Sequence, residues 1–98
     1  MDEAGLILFK CDSVKQAKRI RDAFDVYFLL APPKGTAIAA RLKGLSATFP
    51  QVSQQLILLE AFLRDHANKF DDNVYAYMDH RVVIHHSPAQ YVRVLLFA

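Results

Sequence analysis

The chain has 98 residues, of which 53% are hydrophobic, and its net charge is +2. A charge this close to zero gives no reason by itself to expect a polyanionic partner, and the length suits one domain with one core. A chain this short hides only about two-thirds of its unfolded surface. The composition therefore predicts a single domain over residues 1–98 that pairs with a second copy, since two-fold dimers are the commonest oligomers.

The sequence predicts a cytoplasmic protein without a membrane partner. Its single cysteine, Cys11, excludes a disulfide within the chain, as is usual in a reducing compartment. The start Met-Asp-Glu lacks the basic and apolar regions of a secretion signal. The best apolar run, residues 26–31, is too short to span a bilayer and stops at two prolines.

The first third of the chain suggests a strand, a helix and a second strand. Residues 5–10 are apolar on both faces of an extended chain, which is typical of a covered strand. Ser13 and Gln16 match a capping box, which predicts a helix over residues 13–24. The apolar and aromatic run at 25–31 predicts the second strand. A right-handed crossover would make the two strands parallel, and a tight reverse connection would make them antiparallel.

Two helices are predicted for the middle of the chain. Thr36 can cap a short helix over residues 37–43, and Gly44 is suited to ending it. A longer helix is predicted over residues 50–67, because Pro50 suits a first helical turn. Apolar residues also recur along it at the three- and four-residue spacing of one helix face.

Three strands are predicted for the last part of the chain. Residues 73–78 and 81–86 look like a hairpin that turns at Asp79 and His80, although the turn lacks the favoured Asn-Gly chemistry. Residues 91–97 are predicted to form the last strand, with Val92, Val94 and Leu96 on one face and Tyr91, Arg93, Leu95 and Phe97 on the other. The predicted fold is therefore α+β, with two layers, a mixed five-stranded sheet and about three helices in the order β-α-β-α-α-β-β-β.

One face of the predicted sheet would stay uncovered if the helices packed on the other. A contiguous apolar face of this kind usually marks an interface. The residues expected to form a dimer interface there are Tyr75, Tyr77, Tyr91, Leu95 and Phe97.

Basic residues are concentrated between Lys10 and Lys43, a segment with eight basic and three acidic residues. A basic helix face can follow a phosphate backbone, although no aromatic residue is interleaved for base stacking. A solvated helix face is the alternative interpretation. The candidate nucleic-acid contacts are Lys15, Lys18, Arg19, Arg21, Lys34, Arg41 and Lys43.

Residues that could carry chemistry do not form a recognised motif. His85 and His86 would point to opposite faces of a strand, and His80 sits in the turn, so the three cannot share a metal ion without a bulge. Cys11 precedes a predicted helix, where a thiol's pKa tends to fall, but no spacing places a histidine beside it. Residues 30–36 lack the phosphate-binding pattern of a P-loop. No metal and no cofactor are predicted.

The sequence leaves the biochemical function undetermined and supports three hypotheses in order. The first is a small non-catalytic binding module that acts as a homodimer and contacts another protein. The second is a nucleic-acid-associated protein that uses the basic N-terminal half. The third is a small-ligand-binding protein or metal-dependent enzyme built around Cys11 or the histidines His80, His85 and His86.

Overall fold

Helices provide the regular structure of the described chain. The computed structural model describes residues 2–16, 18–78 and 85–97. Within these ranges there are six helices and no strand, so the predicted α+β fold and its five-stranded sheet are wrong. In chain order the helices are α1 (Glu3–Ser13), α2 (Arg21–Leu30), α3 (Gly35–Thr48), α4 (Pro50–Asp65), α5 (Ala67–Ala76) and α6 (Pro88–Phe97).

α1 replaces the strand predicted for residues 5–10. The Asp2 carboxylate caps its start by accepting a hydrogen bond from the Gly5 N–H at 2.9 Å. Ile7 and Cys11, four residues apart, are both buried, which is the spacing of one helix face. The strand prediction failed because a short apolar run fits a buried strand and a buried helix equally well.

α2 occupies the segment where the second strand was predicted, residues 25–31. The helix predicted over residues 13–24 is wrong for most of its length, because Ser13 ends α1 and α2 does not begin until Arg21. Val26 and Leu30 are fully buried at helical spacing. The capping-box pattern at Ser13 therefore marks a helix end rather than a helix start.

α3 and α4 are the helices that the sequence anticipates best. α3 contains the predicted helix over residues 37–43, but it continues through Gly44 to Thr48. α4 begins at Pro50 as predicted and ends at Asp65, two residues before the predicted end. Gly44 therefore lies inside a helix instead of ending one.

α5 and α6 replace the strands predicted for residues 73–78 and 91–97. Each helix buries apolar side chains four residues apart. These pairs are Phe70 with Val74 in α5, and Val92 with Leu96 in α6. Of the strand predicted for residues 81–86, residues 81–84 lie outside the described residues, as does the predicted turn at 79–80.

The core lies between all six helices. α4 packs against α1, α3, α5 and α6, and α2 packs against α5 and α1. No helix in the described ranges is both long and apolar enough to cross a membrane. The largest fully buried side chains include Phe70, Ile7, Leu30, Leu42, Leu59 and Leu63.

A buried carboxylate joins α1 to α2. Asp22 is only 4% exposed and accepts hydrogen bonds from Lys10 at 3.0 Å, from Arg19 at 3.3 Å and from the Ser13 hydroxyl. Burial alone would raise the pKa of Asp22, but the bonds from Ser13 and Lys10 and the nearby positive charges lower it. Burial alone would lower the pKa of Lys10, but its bonds to Asp22 and Asp25 raise it.

α3 begins in direct contact with the end of α2. A Cβ atom added to Gly35 would lie 1.8 Å from the carbonyl oxygen of Leu30, so the close approach of the two helices requires glycine. A Cβ atom added to Gly44 would meet nothing within 4 Å. The two glycines of α3 therefore have opposite roles.

We predict opposite effects for the same substitution at these two glycines. Gly35→Ala should lower the free energy of unfolding by about 1–3 kcal/mol, because the added methyl group forces the backbones apart. Gly44→Ala should raise it by about 0.5–1 kcal/mol, because alanine is the better residue inside a helix. Urea unfolding of both variants measures the difference. A Gly35→Ala variant as stable as the wild type would contradict the packing of α2 on α3.

We also predict that Asp22 shapes the acid unfolding of the protein. Its lowered pKa stabilises the fold at pH values above about 4, the ordinary value, and this contribution is lost as the pH falls through the folded-state pKa. Lys10 has the opposite pH dependence. Its contribution to stability is complete below about pH 10.4 and is lost as the pH rises through its raised pKa. Urea unfolding measured from pH 7 down to pH 3 tests the acid limb.

Asp22→Asn should cost about 2 kcal/mol at pH 7 and flatten the acid limb, because it leaves Lys10 with one partner fewer. Asp12→Asn is the matched control, since Asp12 is exposed and pairs with Lys15 at 2.9 Å on the surface. Equal losses of unfolding free energy in the two variants would contradict a stabilising role for the burial of Asp22.

Candidate functional site

The start of α6 is held against α5 by one carboxylate. Asp71 accepts hydrogen bonds from the Ser87 hydroxyl at 2.7 Å and from the Ala89 N–H at 2.8 Å. The Ser87 oxygen accepts in turn from the Gln90 N–H at 3.2 Å. These bonds satisfy N–H groups in the first turn of α6, so helix capping accounts for the polar groups here.

An aromatic cluster fixes α6 against α2. The Tyr91 hydroxyl donates to the carbonyl oxygen of Leu30 at 2.6 Å, and the Tyr27 hydroxyl lies 2.9 Å from Nε2 of His86. The Tyr27 and Tyr91 rings meet edge to face with centroids 5.6 Å apart. Burial raises the pKa of both phenols, and Tyr91 and Tyr75 raise that of Tyr27 further. Both tyrosines therefore keep their protons at neutral pH.

An open apolar groove, which we call groove A, lies beside this cluster. Its volume is about 520 Å³, within the usual range for binding pockets. The Ser87 hydroxyl at its edge already donates to Asp71. The groove thus offers mainly apolar surface to a partner. Its lining residues are His86, Ser87, Gln90, Tyr91, Val94 and Leu95.

A second groove, groove B, runs along the other side of α6, between α6 and α4. Its volume is about 400 Å³. Groove B carries charged residues on both walls, with Glu60 and Arg64 on α4 and Arg93 on α6. The remaining lining residues are Gln90, Val94 and Phe97.

A ridge of two side chains, the α6 ridge, separates the grooves. Gln90 and Val94 line both grooves and are one helical turn apart. Val94 is 58% exposed, and Ile57, on α4 beside groove B, is 63% exposed. We call the ridge, the two grooves and Ile57 the α6 face. The α6 face thus combines exposed apolar side chains with two grooves.

The residues predicted for a dimer interface are divided between two places. Tyr91 and Leu95 line groove A, and Phe97 lines groove B. Tyr75 lies near the end of α5, and Tyr77 follows that helix, 6.3 Å from the ring of Phe24. The sheet that was expected to place all five on one face is absent from the described ranges. Three of them nevertheless share the α6 face.

The basic residues of the N-terminal half are largely matched with acids. Four of the seven candidates form ion pairs, and three have no ion pair among the described residues. The four pairs are Lys15–Asp12, Arg19–Asp22, Arg21–Asp25 and Arg41–Asp2. The other three candidates are Lys18, Lys34 and Lys43. Local pairing of this kind reduces the positive field that attracts a phosphate backbone.

The candidate metal ligands are not brought together in the described residues. His80 lies outside them, and His85 and His86 both precede α6 in an irregular segment. No group of three potential ligand residues occurs in the ranges that the structure describes. In the segment compared with a phosphate loop, residues 30–36, Leu30 ends α2 and Gly35 begins α3.

Sequence reasoning missed the α6 face because it assigned residues 91–97 to a strand. The sequence contained no clear signal against the strand, because Val92 and Leu96, which are buried in α6, would share a face in a strand as well as in a helix. The capping of α6 by Asp71 had no sequence signal, because the carboxylate comes from a position 16 residues before Ser87.

No protein-family model, curated protein or solved structure matches the chain. The function must therefore be argued from the chemistry and geometry of the site.

Cys11, the candidate nucleophile, is held inside the core. Its side chain is 1% exposed, and its thiol lies 3.2 Å from the carbonyl oxygen of Ile7. Burial raises the pKa of the thiol to about 12. Because only the thiolate attacks an electrophile, this environment gives Cys11 the chemistry of an inert core residue.

We predict that Cys11 resists thiol reagents in the native protein. Its reaction with Ellman's reagent at pH 8 should be at least about 100-fold slower than in guanidinium-unfolded protein, because both burial and the raised pKa suppress attack. Absorbance at 412 nm follows the reaction, and a Cys11→Ser variant supplies the background. Native labelling as fast as in the unfolded chain would contradict the buried position.

Proposed function

We propose that the chain is a non-catalytic binding module whose α6 face pairs with the same face of a second copy. The observation that carries this proposal is the exposure of Val94 on a ridge between two preformed grooves. A ridge beside a groove is a shape that can dock with its own copy, because ridges of one helix pack into the grooves of another. A two-fold dimer requires such self-complementarity.

A binding role is supported by how the polar groups around α6 are used. Ser87 and Asp71 cap a helix, and Tyr91 holds the end of α2. Each of these groups has a structural partner, so groove A offers mainly shape and apolar contact. That combination is typical of the centre of a protein interface.

The size of a stable dimer interface determines how much of this surface must take part. Such an interface buries about 800 Å² on each partner, and a ten-residue helix is only about 15 Å long. The exposed half of α6 is too small to provide this area alone. Ile57 and Glu60 on α4 extend the α6 face across groove B, and we include them in the proposed interface.

We predict that the wild-type protein elutes at micromolar concentration as a species of twice its 11.1 kDa chain mass. Val94→Glu should weaken self-association at least about tenfold, because it places a charge at the apolar centre of the interface. Size-exclusion chromatography with light scattering measures both. Circular dichroism should show unchanged helix content, since Val94 is exposed in the single chain.

Phe9→Glu is the matched control, because Phe9 is 64% exposed on α1, outside the α6 face. It should leave the dimer intact. A wild-type monomer would refute the proposal, and so would a dimer that Phe9→Glu disrupts and Val94→Glu does not.

A further inference from the structure

We infer that the two-fold axis of the dimer runs along groove B and places Glu60 of each copy against Arg93 of the other. The inference rests on the proposed function and specifies how the second copy sits.

The two walls of groove B carry opposite charge. The α4 side carries Glu60 and Arg64, and Arg64 pairs at 3.1 Å with Asp65, which does not line the groove, so the three charges leave that side with a net charge of −1. On the α6 wall Arg93 is the charged residue that lines the groove. Neither Glu60 nor Arg93 belongs to an ion pair within the described part of the chain.

Two-fold symmetry converts these walls into a matched surface. A rotation about an axis that lies in the interface and along the groove places the α4 wall of one copy over the α6 wall of the other. Negative then meets positive on both sides of the axis, since each contact occurs twice in an isologous interface. An axis across the groove would instead set each wall against its own copy, with like charges facing.

The same arrangement covers the exposed apolar side chains. Val94 stands beside groove B on α6, and Ile57 stands beside it on α4. When the walls exchange, Val94 of one copy is carried over the α4 side of the other, where Ile57 lies. Both side chains, which are 58% and 63% exposed in the single chain, then lie on the side that meets the second copy. Charge thus selects the register, and the apolar side chains add to the buried surface.

Charge reversal tests this register directly. Glu60→Lys alone and Arg93→Glu alone should each weaken self-association about tenfold, because each reversal places like charges together twice in the dimer. An equimolar mixture of the two variants should restore association as a heterodimer. In that mixture both walls of the Glu60→Lys chain are positive and both walls of the Arg93→Glu chain are negative, so every contact joins opposite charges. Sedimentation velocity measures association, and native mass spectrometry identifies the heterodimer.

Two controls accompany the experiment. Lys69→Glu reverses an exposed base on α5, away from the α6 face, and should leave self-association unchanged. The losses in the two single variants should also shrink in about 0.5 M salt, where charges more than a few ångströms apart are screened.

The outcomes separate the register from the proposed function. If the wild type dimerises and Val94→Glu disrupts it, but the two charge variants associate like the wild type or fail to complement each other, the register is refuted and the α6 face stands. If the wild type is a monomer, both are refuted. Complementation by the mixture alone, with both single variants weakened, supports the register.

Discussion

The carbonyl oxygen of Leu30 is the point at which three helices meet, and the orientation of α6 depends on it. It belongs to the last residue of α2, where a carbonyl has no partner within its own helix. Gly35 lets α3 start against it, because a Cβ there would lie 1.8 Å away. The Tyr91 hydroxyl donates to it at 2.6 Å. Asp71 holds the start of α6. These few contacts fix the position of α6 and therefore the shape of both grooves beside it.

Charged groups in the N-terminal half also stabilise the packing of helices. Asp22 draws Lys10 and Arg19 together between α1 and α2. Its burial is tolerable only because those partners and the Ser13 hydroxyl replace water. Part of the positive charge counted along the sequence is therefore paired with acids in three dimensions. Glu60 and Arg93 beside groove B differ from these paired groups, because neither has an ion pair in the described ranges.

The sequence predicts the helices whose apolar period spans many turns and misleads where the apolar run is short. α4 is long and amphipathic, so its start at Pro50 and its approximate end are predicted correctly. Residues 5–10, 25–31 and 91–97 are short, mostly apolar runs, and such runs fit a buried strand as well as a buried helix. Three of the five predicted interface residues still lie on the α6 face, because apolar excess is a property of composition. Asp71 and Leu30 fix the position of α6, which carries these three residues, through contacts between positions distant in sequence.

Exposed apolar area alone does not choose a partner surface on this molecule. Each short helix buries one stripe of its surface, so other apolar side chains on it remain exposed. Phe9, Phe28 and Phe49 are 64%, 66% and 49% exposed. Single exposed side chains are ordinary on a protein surface. Val94 differs because it stands on a ridge between two grooves. In the proposed dimer, Glu60 and Arg93 would supply the specificity, since charge fixes register more than it adds affinity. The apolar excess is the reason to propose that the chain pairs, and the charges beside groove B are the reason for the proposed arrangement.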